Sequence, residues 1–297
     1  MENQETTENC PPTIKHIVCS GGGLAGLVFY GALKESHARG IWQLENIETI
    51  YGTSVGSIIA VILALKYDWE TLDDYLIKRP WQTVFTFNLY SIMDTINNQG
   101  MYGMEIIQDI FLPLFSGKDV RMDITLKDFY ELTKIEIHMF CTNMNSFELT
   151  DISYKTHPEW SVIEAIYSSC AVPVLFTPFF KRNECYCDGG LIANYPIAEL
   201  IRNGSDPNET LGIKYKGSNS DETSKSITTK TTLVDYTLTI ISRLIGRILD
   251  KHEPYKLAYE YDIWCPSLSI SDLIKTTTDD DLRRQLIMQG VEVVSSK

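Results

Sequence analysis

The sequence predicts an α/β fold, a three-layer α/β/α sandwich around a mostly parallel sheet. Two observations carry that expectation: two strand–turn–helix units follow one another at the start of the chain, and the second helix is apolar on every face, as a helix buried between a sheet and further helices must be. A third sets the scale: 297 residues with 44% hydrophobic content are ample for a large core.

Residues 14–19 are a short β-prone run ending in Ser20-Gly21-Gly22-Gly23-Leu24-Ala25-Gly26, after which residues 27–38 have helical spacing closed by Gly40. Residues 47–51 make a second strand that runs into Gly52-Thr53-Ser54-Val55-Gly56, and residues 58–65 form the apolar helix. From residue 69 to 127 the pattern is mostly helical, with interruptions expected at Pro80, Gly100 and Pro113. Residues 81–93 are apolar enough to be either a lid over a greasy site or part of the core. Residues 135–141 and 147–152 are expected as strands about an Asn143-Met144-Asn145-Ser146 turn, and residues 160–167 as a short helix. Ser168-Ser169-Cys170-Ala171-Val172-Pro173 then leads past Phe176, Phe179 and Phe180 into Cys185-Tyr186-Cys187-Asp188-Gly189-Gly190. A helix past Pro196 and a strand over 211–215 follow.

Residues 217–232 are polar and lack hydrophobic anchors, which predicts a mobile loop. Val234, Leu238, Ile241, Ile245 and Ile248 recur at steps of four and three, the spacing of an amphipathic helix; its weakly basic polar face favours docking on the body of the protein over membrane insertion. A strand and a final helix around Leu282, Leu286 and Ile287 are expected over 263–294. The organisation read from the chain is a mobile tail over 1–13, a catalytic domain over 14–216, the polar loop over 217–232, and a C-terminal helical part over 233–297 packed on the catalytic domain.

The 39 acidic against 26 basic residues give a formal charge of -13. That excludes nucleic acid as a partner held by bulk electrostatics, and any membrane surface would have to be met transiently by apolar contact. Seven cysteines at irregular spacing suit a reducing compartment, and residues 1–12 have neither a basic start nor an apolar stretch. The expected setting is intracellular, cytoplasmic or peripheral to membranes, without a secretory signal peptide.

Gly52-Thr53-Ser54-Val55-Gly56 reads as a nucleophile on a sharp strand-to-helix turn. A serine hydroxyl is a poor nucleophile unless held exposed near a base and near oxyanion donors; the flanking glycines allow the tight turn, and the helix behind aims its positive end at developing negative charge. A glycine loop opening a helix presents backbone N–H groups to one point, so Gly21, Gly22 and Gly23 are the expected oxyanion donors. Asp188, between a strand and Gly189-Gly190, is the expected base. Its basicity would have to be raised by burial or by an apolar wall, for which residues 176–180 are the candidate.

These segments resemble, in the right order, the patatin-like phospholipases and acyl hydrolases. Gly21-Gly22-Gly23-Leu24-Ala25-Gly26 is similar to that family's oxyanion loop, Gly52-Thr53-Ser54-Val55-Gly56 to its nucleophile turn, and Asp188-Gly189-Gly190 to its dyad aspartate. Residues 168–173 with Phe176 and Pro178 resemble the loop upstream of the aspartate, and Asn194-Tyr195-Pro196 its continuation; the similarity spans about residues 14–215. The resemblance implies a lipid or phospholipid substrate, a Ser54–Asp188 dyad, an acyl-enzyme on Ser54, and neither cofactor nor metal in the chemical step. One departure stands out: the family usually carries Arg or Lys where this chain has Ala25.

Three other readings compete. A Ser-Asp-His triad needs a histidine, and of the five only His252 follows Asp188, beside Lys251 and Glu253 where a solvated role suffices. Gly21-x-Gly23-x-x-Gly26 satisfies a dinucleotide fingerprint but leaves Ser54 and Asp188 unexplained. A lipid-binding protein without activity is supported by Ala25 and opposed by the presence of both Ser54 and Asp188. Cys185 and Cys187 have no partner pair for a metal and read as strand cysteines.

Overall fold

The computed structural model describes residues 12–86, 99–217, 227–229, 231–249, 255–265 and 269–297, and the side chains of 245–249 are not among what it describes. Residues 1–11 of the expected tail over 1–13, most of the expected loop over 217–232, the later part of the 81–93 segment, His252, and the side chains of Ile245 and Ile248 therefore lie outside the described residues.

The first β-prone run pairs as β1 (His16–Cys19) and its glycine loop opens α1 (Gly26–Ala38). The second unit is β2 (Thr49–Thr53) followed after one residue by α2 (Val55–Ala64), so the helix starts earlier than its apolar run suggested. Then come α3 (Trp69–Lys78), β3 (Gly100–Tyr102), α4 (Glu105–Ser116), α5 (Leu126–Thr133), β4 (Glu136–Asn143), β5 (Glu148–Ile152) and α6 (Val162–Cys170). After these follow β6 (Val174–Phe176), β7 (Phe179–Lys181), β8 (Glu184–Asp188), the single turn α7 (Gly190–Ala193), α8 (Ile197–Arg202) and β9 (Thr210–Gly217). The chain closes with α9 (Leu233–Leu249), β10 (Tyr259–Trp264), α10 (Ile270–Thr278) and α11 (Asp280–Ser295). No helix among the described residues is long and apolar enough to cross a membrane.

Strands β10, β9, β1, β2 and β4 lie side by side and all run parallel. Beyond them the register decides the architecture of the site. β2 pairs with Glu136–Phe140 of β4 and β8 pairs antiparallel with Cys141–Asn143, while β5 pairs with Met139–Asn143. A strand has two edges, and β5 shares paired residues with each of the others. It must therefore hold the opposite edge, so β2 and β8 meet end to end along the same edge of β4. Because they run in opposite senses, Thr53 at the end of β2 faces Asp188 at the end of β8.

Alternation along the strands sends Ile17, Cys19, Ile50, Ile137, Met139, Leu211 and Ile213 into the larger core with α1 and α2, and Val18, Tyr51 and Phe140 to the other face, where Ile197 and Leu200 of α8 cover them. The β8-to-β9 return crosses that second face, giving the expected three layers with one thick and one thin. On the thin side His138 sits between Asp151 (Nδ1 to Oδ2, 2.8 Å) and Glu136 (Nε2 to Oε1, 2.9 Å), stacked on Tyr51 at 4.3 Å, and Lys155 pairs with Glu136 at 2.8 Å.

Two local expectations change. Pro113 does not interrupt the chain but lies inside α4. The proline cannot bond the carbonyl of Asp109, and the Arg79 guanidinium donates to that oxygen instead at 2.7 Å, with Tyr75 and Arg79 both donating to Ile110 next to it. The C-terminal segment holds two helices rather than one: Ser269 caps the extra one, α10, by accepting from Asp272 N. Gly31 of α1 and Gly290 of α11 face each other's helix so closely that a Cβ on either would strike the carbonyl of Ile287 or Val28.

Candidate active site

Ser54 is the single residue between β2 and α2, held at φ 54 and ψ -125. For a residue with a side chain this is a strained backbone, and its consequence is exposure of the hydroxyl at the start of a helix. The strain is held from three sides. Ser54 N donates to Ser169 Oγ at 3.0 Å, whose hydroxyl donates to Phe140 O at 2.7 Å; Thr53 Oγ1 donates to Ala193 O at 2.8 Å; Ser57 N returns to Ser54 O at 2.8 Å. Gly52 and Gly56 let this corner close, since a Cβ on Gly52 would meet Gly56 O and a Cβ on Gly56 would meet Cys19 O.

Asp188 arrives on β8 and is anchored from its own backbone: its N–H donates to Ala171 O at 3.0 Å and its carbonyl accepts from Thr142 Oγ1 at 3.0 Å. Its Oδ1 accepts from Gly190 N at 2.7 Å. Oδ2 is buried without a hydrogen-bond partner among the described residues, and the Ser54 hydroxyl is near enough to the carboxyl to lower its pKa against burial. Burial dominates, and the pKa is pushed up to about 6 with Asp188 only 5% exposed. Gly189 keeps the carboxylate in place by packing its backbone on Phe140 O and Thr53. The phenylalanines of residues 176–180, the expected apolar wall, are engaged by other rings or exposed. Phe176 packs on Tyr102 and Tyr167, and Phe179 on Trp160 and Tyr186, while Phe180 is exposed. Asp188 pairs with Cys141 across the sheet and lies close enough to Cys170 to raise that thiol's pKa. Burial raises the thiol pKa values of Cys19, Cys141, Cys170 and Cys187.

The glycine loop lies against this pair, a Cβ on Gly21 being 3.1 Å from Ser54 Cβ. Its three expected donors are not equivalent. Gly21 N–H donates to Asn194 O at 2.8 Å, and Asn194 Nδ2 donates back to Gly21 O at 3.0 Å, so Gly21 is held by the end of α7 and its N–H is not free for an oxyanion. Among the described residues, Gly22 and Gly23 N–H groups make no hydrogen bond within the protein, and Gly23 takes a positive φ of 55 that suits glycine. Gly26 begins α1 against Val55, where a Cβ would strike that side chain. Ala25 is fully buried behind Gly22, in contact range of where a Gly22 Cβ would stand, so the place usually taken by a cation is a packed apolar position here. The loop is fastened by Ser20 instead, whose Oγ accepts from Tyr215 N at 2.8 Å.

Asn194 and Ser169 were not assigned site roles from sequence. Both stand in segments the sequence singled out, but their hydrogen bonds cross between elements 173 and 115 residues apart and have no local signature. No described histidine approaches the pair: His16 bonds Thr49, His37 Trp69, His138 Asp151 and Glu136, and His157 Thr156. Beside the glycine loop opens a cavity of about 160 Å³, lined by Gly23, Gly26, Val55, Ile58, Ile62, Trp81 and Leu273 among others and almost wholly apolar.

A family model described as patatin-like phospholipase matches residues 17–201. An uncharacterized protein of Acanthamoeba polyphaga mimivirus is 28% identical over 222 residues, 75% of this chain and 72% of that protein. A probable lipid hydrolase of Invertebrate iridescent virus 6 is 28% identical over 194 residues, 65% of this chain and 65% of that protein, just under two thirds of its length. Among solved structures, VipD from Legionella pneumophila superposes with a TM-score of 0.51 at 18% identity, covering 94% of this chain and 67% of that one, a likeness of fold. With more than half of its residues matched by the family model, the chain belongs to the patatin-like phospholipase family, hydrolases that act on carboxylic esters.

Proposed function

We propose that the chain hydrolyses acyl esters of lipids, in the manner of a phospholipase A, with Ser54 as nucleophile and Asp188 as its only base. The observation that carries this reading is the buried, half-satisfied carboxylate: one oxygen of Asp188 is fixed by Gly190 N–H, the other is left without a partner among the described residues, the Ser54 hydroxyl is near the group, and burial lifts its pKa into the range of a working base. As Ser54 Oγ attacks the ester carbon, its proton passes to Asp188 Oδ2. The oxyanion that forms is met by the N–H groups of Gly22 and Gly23 and by the positive end of α2. Collapse breaks the carbon–oxygen bond of the ester, the alcohol leaves with the proton from Asp188, and an acyl-Ser54 remains. Water then gives its proton to Asp188 while its oxygen attacks the acyl carbon, and collapse returns the proton to Ser54 and releases the fatty acid. The apolar cavity beside Gly23 and Val55 gives the acyl chain a dry place next to the reacting carbon.

The test is fatty-acid release from labelled phospholipid in the presence of a metal chelator, comparing wild type with Ser54→Ala and Asp188→Ala. Activity that survives chelation and falls at least about 10³-fold in both variants supports the dyad. Activity that chelation abolishes, or that persists in Asp188→Ala, overturns it. The site offers a second reading only through Ala25, that of a lipid-binding protein of the same fold. Absence of turnover on phospholipids and simple acyl esters alike would favour it.

A further inference from the structure

The described part of α9 has two apolar faces, and only one of them is packed against other described residues. Leu238 is buried in the core, Val234 packs against its rim, and Asp235 pins the helix by accepting from Ile270 N at 3.2 Å. Leu233, Tyr236, Ile240 and Leu244 point elsewhere: at ~100° per residue they fall within roughly 80° of arc on the outer side. They are 75%, 44%, 38% and 56% exposed. Asp235, Thr239 and Ser242 lie between the two faces, and Arg243 is exposed beside the outer one. Four large apolar side chains aligned along about three turns of one helix are more than the scattered surface hydrophobics of an ordinary soluble face.

The position of the helix says what the outer face is for. α9 packs against α7, the turn that directly follows Asp188, and against β6; through Asp235 it also holds the start of α10, which lines the apolar cavity. The stripe, unpartnered among the described residues, thus belongs to the element that joins the two sides of the site. We propose that this outer face of α9 seats the protein on the surface of a zwitterionic lipid aggregate, with Leu233, Tyr236, Ile240 and Leu244 entering the boundary between headgroups and acyl chains. The identity of the occupant rests on the lipid-ester reading above. Charge narrows it further. A formal charge of -13 sets two copies of this chain against each other and opposes an anionic bilayer, but costs nothing against a surface without net charge.

The experiment is co-sedimentation with phosphatidylcholine vesicles, read without turnover on the Ser54→Ala protein, alone and combined with Ile240→Asp and Leu244→Asp. Both added substitutions are at exposed positions, and circular dichroism with the melting temperature checks that the fold is kept. Ser54→Ala should bind vesicles, and the triple variant about tenfold or more weakly, given the apolar surface withdrawn. Replacing part of the phosphatidylcholine by anionic lipid at low salt should weaken binding. In the Ser54 background, Ile240→Asp/Leu244→Asp should lose hydrolysis of vesicle ester while retaining turnover of a soluble short-chain ester. Equal sedimentation of the two Ser54→Ala proteins, or no sedimentation of either, overturns the proposal. So does a dimer in solution that the two aspartates dissociate, which would assign the face to a second copy. Because sedimentation needs no chemistry, failure of the dyad and failure of this surface are read separately.

Discussion

At the scale of single residues, Asp188 states the compromise of the site. Its carboxyl pKa of about 6 in the fold lies above the ordinary value of 3.8, because burial disfavours the ion more than Ser54 and Gly190 favour it. Between those two values the folded state holds a proton the unfolded state has lost, so stability falls as pH rises through the window and the deficit is complete above pH 6. Two pKa units correspond to about 3 kcal/mol. Asp188→Asn should therefore be inactive yet melt higher than wild type at pH 7, with the advantage gone at pH 4, as thermal unfolding at the two pH values will show. Turnover in the wild type should decline below about pH 6, where the carboxyl is protonated and cannot accept the serine proton. A plateau of kcat/KM down to pH 4 would contradict this role for Asp188. The corners that hold Ser54 and Asp188 were legible from the chain, since each residue sits among glycines that a tight corner demands. Asn194 and Ser169 were not, because what they do depends on strands and loops brought together by the sheet.

At the scale of elements, α1 and α11 cross at Gly31 and Gly290, with backbone on backbone and no room for a methyl group. Gly31→Ala or Gly290→Ala should lower stability by about 1–3 kcal/mol, seen as a fall in the urea midpoint, because rigid helix backbone has to yield. Spacing predicted most helices and strands, and failed where a tertiary contact replaced a local one. Pro113 read as a breaker until Arg79 supplied the hydrogen bond it lacks. The run Ile270–Thr278, rich in β-branched residues, reads poorly as a helix and is one because Ser269 caps it and Leu273, Thr276 and Thr277 bury one side. In α9 the face that packs on the body was readable from the spacing of Val234 and Leu238. The second face stayed hidden, since apolar residues on both sides of a helix blur the periodicity that a single stripe makes plain.

At the scale of the whole molecule, the sheet has a thick helical side and a thin one, and on the thin side a charged network about His138 lies beside the small apolar cluster. Burial pulls the His138 pKa down, but hydrogen bonds to Asp151 and Glu136 outweigh it, and the net direction is up. A histidine raised in this way adds stability that is fully present below its ordinary range and is lost as pH rises through its value in the fold. The melting temperature should thus drop from pH 6 towards alkaline pH by an amount that His138→Gln removes. The parallel core of the sheet was foreseeable from two strand–helix units in succession; the end-to-end meeting of β2 and β8 was not, because it is fixed by the register of β4. The thiols packed around that meeting point carry a further consequence. Cys170 lies 3.6 Å from Ser57 Oγ and, like Cys19, Cys141 and Cys187, is held protonated by burial. A soft electrophile that hunts thiolates will find none there, whereas a fluorophosphonate meets the serine hydroxyl at the mouth of the helix. Iodoacetamide at neutral pH should leave ester turnover intact and a fluorophosphonate should end it, which makes the pair of reagents a class-selective handle on this protein in a crude mixture.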